Sequence, residues 1–164
     1  PSLEAAFEAF PEARFNLEIK CHDAKAIRAT LDLVARFARS DRTLLAAGED
    51  PIMSDLRTAV AEHQVAPAMG ASLAEIVGAV QSALGQGEMP SGVMALQIPS
   101  EFAGNSLATP ELIDHAHACG VAVHVWTIND LDEIDVLLAR GVDGIVTDLP
   151  GQMHDWLVQR GQRI

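Results

Sequence analysis

Basic residues are scarce in this chain: 11 Lys and Arg stand against 23 Asp and Glu among 164 residues, a formal net charge of −12. Nucleic acid and anionic membrane surfaces both need a basic footprint, so neither is expected as a main partner. One small anionic substrate stays open, because a local site can invert the global sign. Cysteine is scarcer still. Cys21 and Cys119 are the only two, with no CxxC spacing, so neither a zinc site nor a disulfide framework is indicated. Free thiols in a reducing compartment, hence a cytoplasmic location, are the expectation. No apolar run approaches the length of a membrane span. No GxGxxG follows a strand-like run, and no serine has a nucleophile-elbow context, which leaves dinucleotide binding and Ser-His-Asp hydrolysis unsupported. No linker or low-complexity segment interrupts the chain, which reads as a single domain over residues 1–164. It opens on Pro1 and not Met, so the lack of a visible signal peptide is uninformative.

What is present is a regular series, clearest from Val121 to Pro150. Val121–Ile128 is rich in β-branched residues and carries Trp126 near its end. Asn129-Asp130 breaks that strand and offers a side-chain oxygen to cap a helix. Leu131, Ile134, Leu137 and Leu138 then recur at helical spacing until Gly141, and Val142–Thr147 is a second apolar run. Strand, helix and strand in this order make a βαβ unit with parallel strands, which fixes the class as α/β.

The same alternation runs through the rest. Ser2 caps a short amphipathic helix with Leu3, Ala6, Phe7 and Phe10 on one face. Arg14–Lys20 is a strand, and Asp23 to about Arg39 a helix with Ile27, Leu31 and Val34 buried. Thr43–Ala47 is a strand, Asp50 to about His63 a helix, and Val65–Met69 a strand. Ser72–Gln86 is a helix entered through an S-x-x-E capping box with Glu75. Met94–Ile98 is a strand, and Thr109-Pro110 opens a helix to about Cys119. Gln152–Gln159 is the last helix. Six strands are each followed by a helix.

An open doubly wound sheet and part of a (β/α) barrel both fit such a series. The strand faces favour the barrel. Central strands of an open parallel sheet are apolar on both faces. Here Glu18 and Lys20, Gln97, His124 and Trp126, and Asp148 alternate with apolar residues at or near C-terminal strand ends, where a barrel builds its active site.

Glu18 and Lys20 lie two residues apart on one strand face. One reading is a carboxylate for a hard cation beside a phosphate-binding ammonium; the other is an internal salt bridge. Trp126 is either a core aromatic or a wall for the apolar face of a small polyol. For His124, one layer deeper, a hydrogen-bonded core histidine is expected. Asp148 either orients a neighbouring group or accepts backbone N–H groups in the turn before Pro150. His115 and His117 do not make an i, i+4 metal pair.

RFNLEIK at Arg14–Lys20, AVHVWTIND at Ala122–Asp130 and GVDGIVTDLP at Gly141–Pro150 together resemble the glycerophosphodiester phosphodiesterases. The opening PSLEAAFEAFP and the strand ALQIP at Ala95–Pro99 are similar to the same family, so the resemblance covers essentially the whole chain. It implies a (β/α)8 TIM barrel that hydrolyses glycerophosphodiesters to glycerol 3-phosphate and an alcohol with a divalent metal, Mg²⁺ or Ca²⁺. By that resemblance Glu18 is a metal ligand, Lys20 contacts the phosphate in catalysis and Trp126 lines the glycerol side of the pocket.

The departures are large. The family's HRG motif on its first strand, its E-x-D metal pair on the second and its HD motif on the hairpin that follows have no counterpart here. His22-Asp23 and His154-Asp155 do not match in position. The expectation is therefore an incomplete barrel of about six β/α units, strands three to eight, with the first two strands absent. One carboxylate alone should hold Mg²⁺ or Ca²⁺ poorly, so the isolated chain is expected to be inactive, and its unpaired barrel edges motivate a homodimer. A non-catalytic self-associating half-barrel that binds a polyol or phosphate is the alternative. A barrel phosphodiesterase acting on a phospholipid head group is a third reading.

Overall fold

The computed structural model describes residues 1–161. It is α/β, and every helix named above is present. The chain forms two compact units, Pro1–Gly78 with Pro90–Ala95, and Ala79–Met89 with the chain from Leu96 onward.

The first unit opens with α1 (Leu3–Ala9), capped by the Ser2 hydroxyl, which accepts from the Ala5 N–H at 3.2 Å. Next come β1 (Phe15–Glu18), α2 (Ala24–Arg36), β2 (Thr43–Ala46), α3 (Asp50–His63), β3 (Ala68–Met69) and the start of α4 (Leu73–Ala83). The strands form a parallel sheet in the order β1-β2-β3, with Glu18 level with Ala46 and Leu45 level with Met69. Leu17, Ile19, Leu45, Ala47 and Met69 pack on Ile27 and Leu31 of α2 and on Ile52, Met53 and Leu56 of α3. Alternation along a strand sends Asn16 and Glu18 to the opposite face, where both are exposed. The capping box closes as read: the Ser72 N–H donates to Glu75 at 2.8 Å and the Glu75 N–H to the Ser72 hydroxyl at 3.3 Å. Arg57 binds the same carboxylate at 2.9 Å and donates to the Gly92 carbonyl at 2.7 Å.

The second unit holds β4 (Ala95–Pro99), a hairpin of β5 (Glu101–Phe102) and β6 (Asn105–Ser106), then α5 (Pro110–Ala118), β7 (Ala122–Trp126), α6 (Leu131–Ala139), β8 (Gly144–Ile145) and α7 (Pro150–Gln159). Its sheet runs β4-β7-β8, and β7 and β8 are parallel as the βαβ reading required. Leu96, Ile98, Ile113, Val123, Val125, Ile134 and Leu137 are buried in its core. The caps are those expected from the residues: Thr109 accepts from the Leu112 N–H, and Asp130 from Asp132 and Glu133.

Several details differ from the sequence reading. The sheets are small. Val65–Met69 contributes only two strand residues, and the β5–β6 hairpin was not foreseen. Phe10 is 61% exposed, because the helix stops at Ala9 and leaves Phe10 as its C-cap. Arg39, expected in the last turn of α2, is instead buried beyond it. Its guanidinium donates to the Pro11 and Ala13 carbonyls and lies 4.7 Å and 4.9 Å from the Phe7 and Phe15 rings.

Candidate functional site

In the first unit, Glu18 ends β1 on the face that the helices leave uncovered. Lys20 shares that face, and its Nζ lies 3.1 Å from Glu18 Oε2. Both side chains are half or more exposed, at 50% for Glu18 and 77% for Lys20. An ion pair this open is worth on the order of 0–1 kcal/mol, too little to explain the two residues as structural. The carboxylate leans over the loop after β2, where a Cβ on Gly48 would stand 3.9 Å from Glu18 Oε1. The same end of the sheet is polar. Asp50 in the first turn of α3 accepts from the Ala74 N–H at 3.1 Å, and the Ser72 hydroxyl and this N–H hold its carboxyl below the usual aspartate value. His22, just past Lys20, meets Asp55 of α3 at 2.8 Å on the surface.

Mg²⁺ and Ca²⁺ each need several oxygen ligands. Among the described residues no group of three or more His, Cys, Asp or Glu is placed to hold a metal ion. Glu18 offers one carboxylate, already engaged by Lys20. The donor set here does not make a complete hard-cation site.

In the second unit, β7 pairs with β8 so that His124 is level with Gly144 and Val125 with Ile145. Val123 and Val125 are fully buried, so His124 and Trp126 lie on the other face, beside Gly144 and Val146. Trp126 is 44% and Val146 40% exposed, a small apolar surface at the strand ends. His124 lies against Gly144 so closely that a Cβ there would come within 2.9 Å of its Cδ2. Burial lowers the His124 pKa, against the opposing pull of the Asp143 charge. The hydrogen-bonded core histidine expected there is not found: no hydrogen bond to the ring occurs among the described residues.

Of the Asn129-Asp130 pair expected to break the strand and cap the helix, Asp130 is the cap, while Asn129 joins two motifs. Its Oδ1 accepts from the Thr147 hydroxyl and the Asp148 N–H, both at 2.9 Å, and its amide nitrogen donates to Asp148 at 3.2 Å. Asp148 therefore takes a side-chain donor, while the Thr147 hydroxyl accepts the Leu149 N–H in the turn. Asp143 was missed. It accepts from the Val123 N–H at 2.7 Å and pairs with His117 at 2.9 Å. Burial pushes its carboxyl up, but that N–H together with His117 brings it below the ordinary aspartate value. Both bridge residues about 20 positions apart, which no local pattern reveals.

Each unit by itself is a small parallel sheet with helices between its strands, Glu18 and Lys20 at a strand end in the first and Trp126 at a strand end in the second. Over residues 1–152 the chain matches the Glycerophosphoryl diester phosphodiesterase family, and it belongs to that family. It is 31% identical over 164 residues to the Probable glycerophosphodiester phosphodiesterase 2 of Mycobacterium tuberculosis, covering 99% of this chain and 61% of that protein. It is 25% identical to the human Lysophospholipase D GDPD1, covering 96% of this chain and 56% of that one. Among solved structures it superposes with a TM-score of 0.70 on a Putative glycerophosphoryl diester phosphodiesterase from Silicibacter pomeroyi, 25% identical, over 98% of this chain and 55% of that one. A glycerophosphodiester phosphodiesterase from Parabacteroides distasonis gives the same TM-score at 20% identity, over 99% of this chain and 66% of that one. The chain thus spans less than two thirds of the length of the curated relatives it matches.

Proposed function

We propose that this chain is part of a metal-dependent phosphodiesterase that hydrolyses glycerophosphodiesters to glycerol 3-phosphate and an alcohol. The observation that carries the reading is the exposed Glu18–Lys20 pair, set at the end of a strand in the family-matched segment. In phosphodiester cleavage negative charge builds on the attacking and leaving oxygens, so a fixed cation beside the phosphate lowers the barrier. Lys20 is that cation. Glu18 would supply only one of the several oxygen ligands that Mg²⁺ or Ca²⁺ needs, and Trp126 is read as the apolar wall for the carbons of glycerol. The six βα units are read as strands three to eight of a (β/α)8 barrel, one domain over residues 1–164.

With one metal carboxylate, the 164 residues alone are expected to show no turnover. The test is phosphorus NMR of the purified chain with glycerophosphodiesters and Mg²⁺ or Ca²⁺. Hydrolysis that disappears in Glu18→Ala would overturn the expected inactivity, while hydrolysis unchanged in Glu18→Ala would overturn the role given to Glu18. The similarity to proteins named lysophospholipase D supports a second reading, in which the diester carries an acyl chain. Including lysophospholipids in the same panel separates the two. Among the described residues β1 and β8 each have one sheet neighbour, and we propose homodimerisation through such edges; light scattering showing a monomer would refute it.

A further inference from the structure

The open face of the β7–β8 pair carries a polar group that the roles above do not use. The His124 ring is half-buried, and no hydrogen bond fixes either ring nitrogen among the described residues. Its ring lies across Gly144, where any side chain would collide. Its pKa is lowered by burial, so near neutral pH it is an uncharged imidazole with one donor and one acceptor nitrogen. That pairing suits a hydroxyl group, which also both donates and accepts. Trp126 stands next along the same strand face, with Val146 level with it on the neighbouring strand. A small molecule laid with its carbons on Trp126 and Val146 has His124 at its inner end.

We infer that His124 is a specificity-determining residue, hydrogen-bonding a hydroxyl of the glycerol moiety that stacks on Trp126. Gly144 is the complementary feature, since its missing side chain leaves the room the imidazole occupies. The inference rests on the reading of Trp126 as the glycerol wall. Removing the imidazole costs affinity only for ligands that carry the hydroxyl, because a site built for a hydroxyl discriminates by the polar group left unpaired.

The experiment is an NMR titration of the full chain, followed at the Trp126 indole, with glycerol 3-phosphate and with propyl phosphate, which lacks the hydroxyls. Wild type is expected to prefer glycerol 3-phosphate. His124→Leu is expected to weaken that ligand about 5- to 10-fold and leave propyl phosphate unchanged, and His124→Gln to recover part of the preference. If the indole responds to both ligands and His124→Leu changes neither or both equally, the inference fails while the Trp126 reading stands. If glycerol 3-phosphate leaves the wild-type indole unmoved, the Trp126 reading fails and takes this inference with it. Amide spectra of each variant report whether the fold is kept.

Discussion

The two units are built alike and equipped differently. In each, a small sheet buries one face under helices and leaves the other open. The open face of the first carries Glu18 and Lys20, a charged pair at half exposure or more. The open face of the second carries His124, Trp126 and Val146, neutral and partly apolar. The covered faces are interchangeable in character, with Leu17, Leu45 and Met69 in one and Val123, Val125 and Ile98 in the other. Covered faces therefore hold the fold, and the polar and aromatic side chains singled out from the sequence stand on the open ones. The open faces differ in character, charged and exposed in the first unit and partly apolar in the second.

Substitutions can break or sharpen that contrast. The largest effect is expected from Leu45→Ala on the covered face of β2, where the side chain is fully buried. A loss of about 3 kcal/mol in denaturant unfolding is expected, from lost burial plus the cavity left behind. Arg39→Ala comes next, at about 2 kcal/mol, because it strips the Pro11 and Ala13 carbonyls of their donor and removes a cation from two rings.

Asp143→Asn is expected to cost about 1 kcal/mol at neutral pH in the second unit. Its carboxyl is held below the ordinary value of 3.8 in the folded state, so the unfolded chain binds its proton first on acidification. The stability it adds is present above that value and is lost as pH falls through the folded pKa. The gap between wild type and Asp143→Asn in thermal unfolding should close over that acidic range. His124 has the same sign with a different window. Its folded pKa lies below the ordinary 6.5, so wild type loses stability as pH falls below about 6.5 towards the folded pKa, and His124→Gln should remove that part of the slope. The smallest effect is Glu18→Gln, within about 0.5 kcal/mol. A large loss there would make the pair a structural salt bridge and erase the contrast between faces.

Local chemistry was legible and distant chemistry was not. Ser2, Asp23, Thr109 and Asp130 announce their helices because each cap acts within three residues. Strand alternation placed Glu18, Lys20, His124 and Trp126 on open faces, since period two needs no knowledge of the partner. The β5–β6 hairpin escaped notice because its turn is Ala103-Gly104, both at positive φ, without the Asn or Asp that usually marks such a turn. Arg39 escaped for a similar reason. The chain leaves α2 through Ala38 at φ 49°, a left-handed position normally held by glycine, so the helix seemed to run on. Asn129 and Asp143 take partners about 20 residues away, and only the assembled β7–β8 pair brings those together.

The most direct test of the account is carbon NMR of the side-chain carboxylates as Mg²⁺ is added to millimolar levels. The Glu18 carboxylate is expected to shift in a weakly saturating manner, and the response to vanish in Glu18→Gln while other acidic residues behave as in wild type. A Glu18 signal that stays still while other carboxylates titrate would contradict the assignment of the metal to this strand.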